Sequence, residues 1–203
     1  MVLAVYFIGD EKMKKSILAI FMVAVMLFSG VTAFADQTVD RAKVLYDMGL
    51  LKGTGSYFSV EGLELSRNTT RAEACTTIVR MLGKEEKANY QQNPHPFGDV
   101  PAWAGNYVGW LYENYLVNGV SDTYFGAQDI ITVQQFSTML LRVLGYDDSR
   151  GDFSYANAVN FAIGCGLIDS EIASHWELSR KDMINMCYTA LRLNLKNSAR
   201  TLI

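Results

Sequence analysis

Apolar positions recur at helical spacing three times along this chain. After Thr70 the apolar or small positions are Ala74, Thr77, Ile78, Met81 and Leu82. After Thr132 they are Phe136, Met139, Leu140, Val143 and Leu144, and after Ser179 they are Met183, Met186, Cys187, Ala190 and Leu191. Every set stands 4, 7, 8, 11 and 12 residues beyond its hydroxyl residue, the stripe of an amphipathic helix. The hydroxyls open these helices. In Thr70/Glu73 and Thr132/Gln135, and more loosely in Ser179/Asp182, a polar side chain follows the hydroxyl three residues later, the pattern of a capping box.

An earlier stripe repeats as well. Ala42, Leu45, Tyr46, Gly49 and Leu50 correspond to Val108, Leu111, Tyr112, Tyr115 and Leu116, and both to Val159, Ala162, Ile163, Gly166 and Leu167. A turn follows each: Leu51-Lys52-Gly53, Val117-Asn118-Gly119 and Ile168-Asp169-Ser170. The glycines at 53 and 119 suit a helix end that needs positive φ. The predicted unit is helix, loop, capped helix, and the expected fold is all-α with three tandem units at 36–90, 91–149 and 150–203. Glu85–Pro96 and Gly145–Gly151 read as linkers between them. One helix pair cannot bury its apolar face alone, so the three units should share one body and one core.

The first 35 residues read as an export leader instead. Lys14 and Lys15 precede a nearly unbroken apolar run from Ile17 to Phe28, and Ala33-Phe34-Ala35 supplies small residues for cleavage before Asp36. The run is short for a membrane span, so no span is expected after cleavage. Residues 1–12 carry Asp10 and Glu11 where a leader wants base, and Met13-Lys14-Lys15 reads as the natural start. Residues 1–12 are therefore expected to be a start extension, with 13–35 the signal peptide.

Composition narrows the function. The chain is 50% hydrophobic and carries a formal net charge of −3, which becomes −4 once Asp10, Glu11, Lys12, Lys14 and Lys15 leave with the leader. A generally basic nucleic-acid binder is excluded. Three cysteines without a C-x-x-C, two isolated histidines and no nucleophile elbow or phosphate loop point to no metal, no cofactor and no enzyme.

The middle unit reads Pro96-Phe97-Gly98-Asp99-Val100-Pro101-Ala102-Trp103-Ala104, followed by Val117-Asn118-Gly119, and the first unit carries Thr70-Arg71-Ala72-Glu73. These strings resemble the S-layer homology family, whose pattern opens with FxDVP and WA and starts its second helix with TRAE. The third unit has Ser179-Arg180-Lys181-Asp182, and the middle unit has Thr132-Val133-Gln134-Gln135, without the arginine. The resemblance implies a pseudo-threefold helical body outside the cell. Its partner would be a secondary cell-wall polymer or another peptidoglycan-linked glycan, often pyruvylated, held in grooves between units. A helical protein–protein docking module is the alternative.

Thr70, Glu73, Thr132, Gln135, Ser179 and Asp182 are assigned to capping. Arg71 and Arg180 are assigned to the polysaccharide, because a guanidinium at a helix N-terminus opposes the dipole but pairs bidentately with a carboxylate. Free amides at the same termini are expected to help. Trp103 is the third polysaccharide candidate, Trp176 reads as packing, Asp99 as a turn residue, and Trp110 as an edge residue. N-terminal sequencing of the exported protein is expected to begin at Asp36, and that of an uncleaved precursor at Met13.

Overall fold

The computed structural model describes residues 37–203 except 54, 56 and 92. The leader and start extension expected at 13–35 and 1–12 lie outside the described residues. Helices run over 37–47 (α1), Arg71–Met81 (α2), Glu85–Tyr90 (α3), Ala102–Glu113 (α4), Val133–Val143 (α5), Ala158–Gly164 (α6), Ser170–Ala173 (α7) and Arg180–Arg192 (α8). Single 3-10 turns occupy Glu61–Leu63, Asp148–Arg150 and Tyr155–Asn157. Among the described residues the β structure is three isolated bridges, and the fold is all-α. The stretch from Glu85 is not a plain linker: its first six residues form α3, which packs on α4.

The capped helices start where hydroxyls answer backbone amides. Thr70 Oγ1 accepts from the Glu73 amide while Glu73 accepts from the Thr70 amide, and Thr132 and Gln135 do the same. Ser179 Oγ accepts from the Asp182 amide at 3.1 Å, but the shorter Asp182 side chain accepts from the Ser179 hydroxyl instead of its amide. The first helices of each pair close with a left-handed residue: Gly49 (φ 74), Tyr115 (φ 60) and Gly166 (φ 73). The amides of Leu50, Leu116 and Leu167 reach back to Leu45, Leu111 and Ala162, the Schellman closure. Gly53 and Gly119 are not the left-handed residues expected of them. Gly119 is glycine for space: a Cβ there would lie 2.4 Å from the Phe97 ring and 2.3 Å from the Ser121 carbonyl oxygen, whereas at Gly53 the nearest atom, the Gly62 carbonyl oxygen, is 3.2 Å away.

Residues 41–203 form one compact unit. Its core takes Ile78, Phe136, Leu140, Met183, Met186 and Leu191 from the capped helices, and Leu45, Val108, Leu111, Ala162 and Leu167 from the earlier stripe. The capped stripes are buried almost throughout. The earlier stripe is not, and Tyr112 and Ile163 face solvent.

At the centre lie the residues just before each cap. Thr69 donates its amide to the Leu178 carbonyl at 2.9 Å, Leu178 donates to Ile131 at 2.9 Å, and Ile131 donates to Thr69 at 3.0 Å. All three are fully buried, and the ring closes on itself. One step outward, the amides of Arg71, Val133 and Arg180 donate to the carbonyls of Asp129, Trp176 and Arg67. Each helix start is thereby satisfied by a neighbouring segment's loop.

Phe136→Ala or Leu140→Ala should cost about 2–5 kcal/mol and keep a single denaturant transition, because the core is shared. Two resolved transitions would contradict a single cooperative unit.

Candidate functional site

Two grooves on residues 41–203 share one set of parts. The first, of about 400 Å³, is lined by Arg71 at the start of α2, by the turn at 117–120, by Gln135, Thr138 and Arg142 of α5, and by Tyr155. The second, of about 390 Å³, is lined by Arg180 at the start of α8, by Leu51 and Lys52 of the first turn, by Glu73, Thr76 and Arg80 of α2, and by Trp103. In the register of the repeat, Arg71 corresponds to Arg180, Asn118 to Lys52, Thr138 to Thr76 and Arg142 to Arg80. Each groove thus sets two arginines and a half-exposed aromatic ring around one opening, with Trp103 54% exposed and Tyr155 50% exposed.

The arginines at the helix starts are held differently from what their position suggested. Arg71 and Arg180 are each only 7% exposed. Arg71 Nη2 donates to the Asn118 carbonyl at 2.7 Å, and its guanidinium lies over the Phe125 ring, 4.6 Å from the centroid. Arg180 Nη2 donates to the equivalent carbonyl of Lys52 at 3.2 Å, and Nε to Leu63 O at 2.8 Å. Both clamp a neighbouring turn as well as lining a groove. Burial pushes the pKa of each guanidinium down, and Arg142 acts on Arg71 in the same sense. Arg71 Nε is buried without a hydrogen-bond partner.

The second arginine of each groove was not legible as a site residue. Arg142 is fixed by a two-bond fork to Asp148, at 2.8 and 2.7 Å. Arg80 donates to Glu85 at 3.0 Å and lies near the Tyr107 ring. Lys52 adds a third cation to the Arg180 groove, 3.6 Å from Glu85. The signal that could have found the pair was recurrence: Arg80 and Arg142 both stand ten residues after the cap.

The free amides expected at the helix starts are absent from the grooves. The amides of Arg71 and Ala72 donate to Asp129 and Ala127, and those of Arg180 and Lys181 to Arg67 and Leu65. These loop carbonyls take up the first amides of both helices, so the cationic groups that face the grooves are side chains. Glu73, besides closing the cap, accepts two bonds from Arg67 and borders the Arg180 groove.

Asp99 holds the middle loop, accepting from the amides of Phe125, Gly126 and Ala127 at 2.7–2.8 Å. Trp110 is buried rather than at an edge. Trp176, expected to pack, is 75% exposed, because its backbone carbonyl and not its ring serves the start of α5. The third set of equivalent positions is Val133, Asp169, Asn185 and Thr189, with no arginine at either arginine position, and Arg41 reaches in to donate to Asn185 at 2.9 Å. Asp182 is buried and accepts from Ser179 and pairs with His175 Nδ1 at 3.0 Å.

Residues 96–136 match the family described as the S-layer homology domain. The chain carries an S-layer homology domain. Similar curated proteins include the "Middle cell wall protein" of Brevibacillus brevis, 28% identical over 162 residues that make up 79% of this chain and 15% of the relative. The "Surface layer protein" of Brevibacillus choshinensis is 32% identical over 58% of this chain and 10% of its own length, and an "Endoglucanase" of a Bacillus species 31% over 57% and 14%. The chain thus spans under a fifth of each of these relatives. The S-layer homology domain and the wall-protein relatives make this an extracellular, cell-wall-associated chain. No helix among the described residues is long and apolar enough to cross a membrane.

Two outcomes follow for the groove arginines and acids. Arg71→Ala should lower stability by about 1.5–3 kcal/mol, the range for a hydrogen bond to a charged group, where an exposed arginine would cost almost nothing; urea unfolding measures this. Arg142 holds the Asp148 carboxyl below the usual range, and although burial pushes Asp99 up, its three amide donors bring it below as well. Carboxylates with depressed folded pKa values stabilise above the unfolded value of about 3.9 and lose that contribution as pH falls through the folded value. Melting temperature should therefore hold above about pH 5 and fall steeply below about pH 4, with a smaller acid drop for Asp99→Asn.

Proposed function

We propose that this chain is a non-covalent anchor of the bacterial cell surface, built of three S-layer homology repeats at 36–90, 91–149 and 150–203 around a pseudo-threefold centre. It binds an acidic secondary wall polysaccharide, such as one bearing pyruvate ketals, in the Arg71 and Arg180 grooves. The observation that carries this reading is the recurrence of one constellation in both grooves. Two guanidinium groups facing one cleft repel each other, and an anion between them relieves that repulsion. A planar carboxylate suits the guanidinium fork, and the exposed ring of Trp103 or Tyr155 offers a flat apolar face to the sugar that bears it.

Capping assigns the remaining polar residues: Thr70, Glu73, Thr132, Gln135, Ser179 and Asp182 start helices and so set where the arginines point. The junction that follows Val133 has valine and threonine at the two arginine positions and Asp169 at the turn, so it is left out of this reading as a site for an acidic polymer. The anchor therefore has two sites.

The protein should co-sediment with purified sacculi, and lose that binding when the polymer's acidic substituents are chemically removed. Arg71→Gln or Arg180→Gln, assayed where the variant stays folded, should weaken the site it lines by about 25-fold or more, since truncating one partner of a desolvated charge pair costs about 2–5 kcal/mol. Binding that survives both changes together, or that is indifferent to the acidic substituents, would favour a protein partner over a glycan.

A further inference from the structure

Tyr115 occupies a backbone position that its two counterparts give to glycine. Gly49, Tyr115 and Gly166 close equivalent helices with the same pair of backbone hydrogen bonds and the same left-handed geometry, φ 74, 60 and 73. A bulky side chain is disfavoured there, because its Cβ crowds the following carbonyl. Burial does not compensate, since Tyr115 is 86% exposed. Folding therefore gives no reason for a tyrosine at this turn.

The surroundings supply one. A cleft of about 560 Å³ lies between the end of α4 and the 145–150 loop, with Tyr115, Asn114, Tyr146, Asp147 and Arg150 in its walls. It shares Asn118, Arg142 and Asp148 with the Arg71 groove. The two clefts thus adjoin, with the Arg142–Asp148 fork as a common wall. An exposed ring beside a row of amide, carboxylate and guanidinium groups matches what a pyranose presents, an apolar C–H face rimmed by hydroxyls. The Arg180 groove has no such ring at the corresponding place, where Gly49 stands.

We propose that Tyr115 is a stacking platform for a further sugar of the wall polymer, which lengthens the Arg71 groove and leaves the Arg180 groove short. The inference rests on the anchor reading, and it assigns the two grooves different footprints on the same glycan. Calorimetric titration with wall polymer, cut and fractionated into disaccharides and longer fragments, tests it. Tyr115→Gly should leave disaccharide affinity unchanged and weaken longer fragments at one of the two sites by about tenfold, while melting temperature stays level or rises as the backbone relaxes. Tyr115→Asn should behave alike, and Tyr115→Phe should keep wild-type affinity. Wild-type affinity of Tyr115→Gly for the longer fragments would overturn the platform and leave the anchor intact. Failure of the wild-type protein to bind either fragment would remove both.

Discussion

Three backbone hydrogen bonds in a closed ring hold this fold to its shape. Thr69, Ile131 and Leu178 are fully buried, so each amide and carbonyl must find a partner or carry a large penalty, and each finds one on a different segment. The ring fixes where the three capped helices begin. From there the constraints radiate: the cap hydroxyl, then the first helical amides on neighbouring carbonyls, then the side chains of Arg71 and Arg180 on the neighbouring turns. A groove wall is therefore set by the same bonds that assemble the core.

This arrangement divides the work at a helix start in an unusual way. Helix N-termini often bind anions through free amides, but here those amides are spent on neighbouring loops. Cationic side chains face the grooves instead, in a place where the helix dipole does not favour them. Asn118 and Lys52 carbonyls offset that disadvantage, and the Phe125 face does so for Arg71. The acids of the second rank, Asp148 and Glu85, fix the orientation of Arg142 and Arg80 and at the same time limit the positive charge of each groove. In the anchor proposed above, selectivity for an acidic ligand would rest on geometry more than on net charge, in keeping with a chain that is negative as a whole.

Periodicity made the capped helices legible, because burial along Ile78, Leu140 and Cys187 follows from the 3.6-residue repeat with little else involved. The cap residues were legible for the same reason: they act within four residues of themselves. What escaped was long range. Arg71 read only as a ligand cation at a helix start, because nothing near it in sequence shows that Asn118 and Phe125 close over it. The short helix at Glu85–Tyr90 read as linker because it has barely one buried residue, Ala88, too little for a periodic signal. Trp176 read as packing because its size argues for burial, whereas its contribution is a carbonyl that any residue could supply.

The ring joins residues 62 and 109 positions apart along the chain, through the Thr69–Ile131 and Thr69–Leu178 bonds. Contacts of that separation form late, after the entropy of closing long loops has been met. Each groove also draws on residues from all three stretches: Arg71, Arg142 and Tyr155 in one, Lys52, Trp103 and Arg180 in the other. The Arg71 groove needs the chain only as far as Tyr155, whereas the Arg180 groove and the closed ring are complete only once the last capped helix is in place.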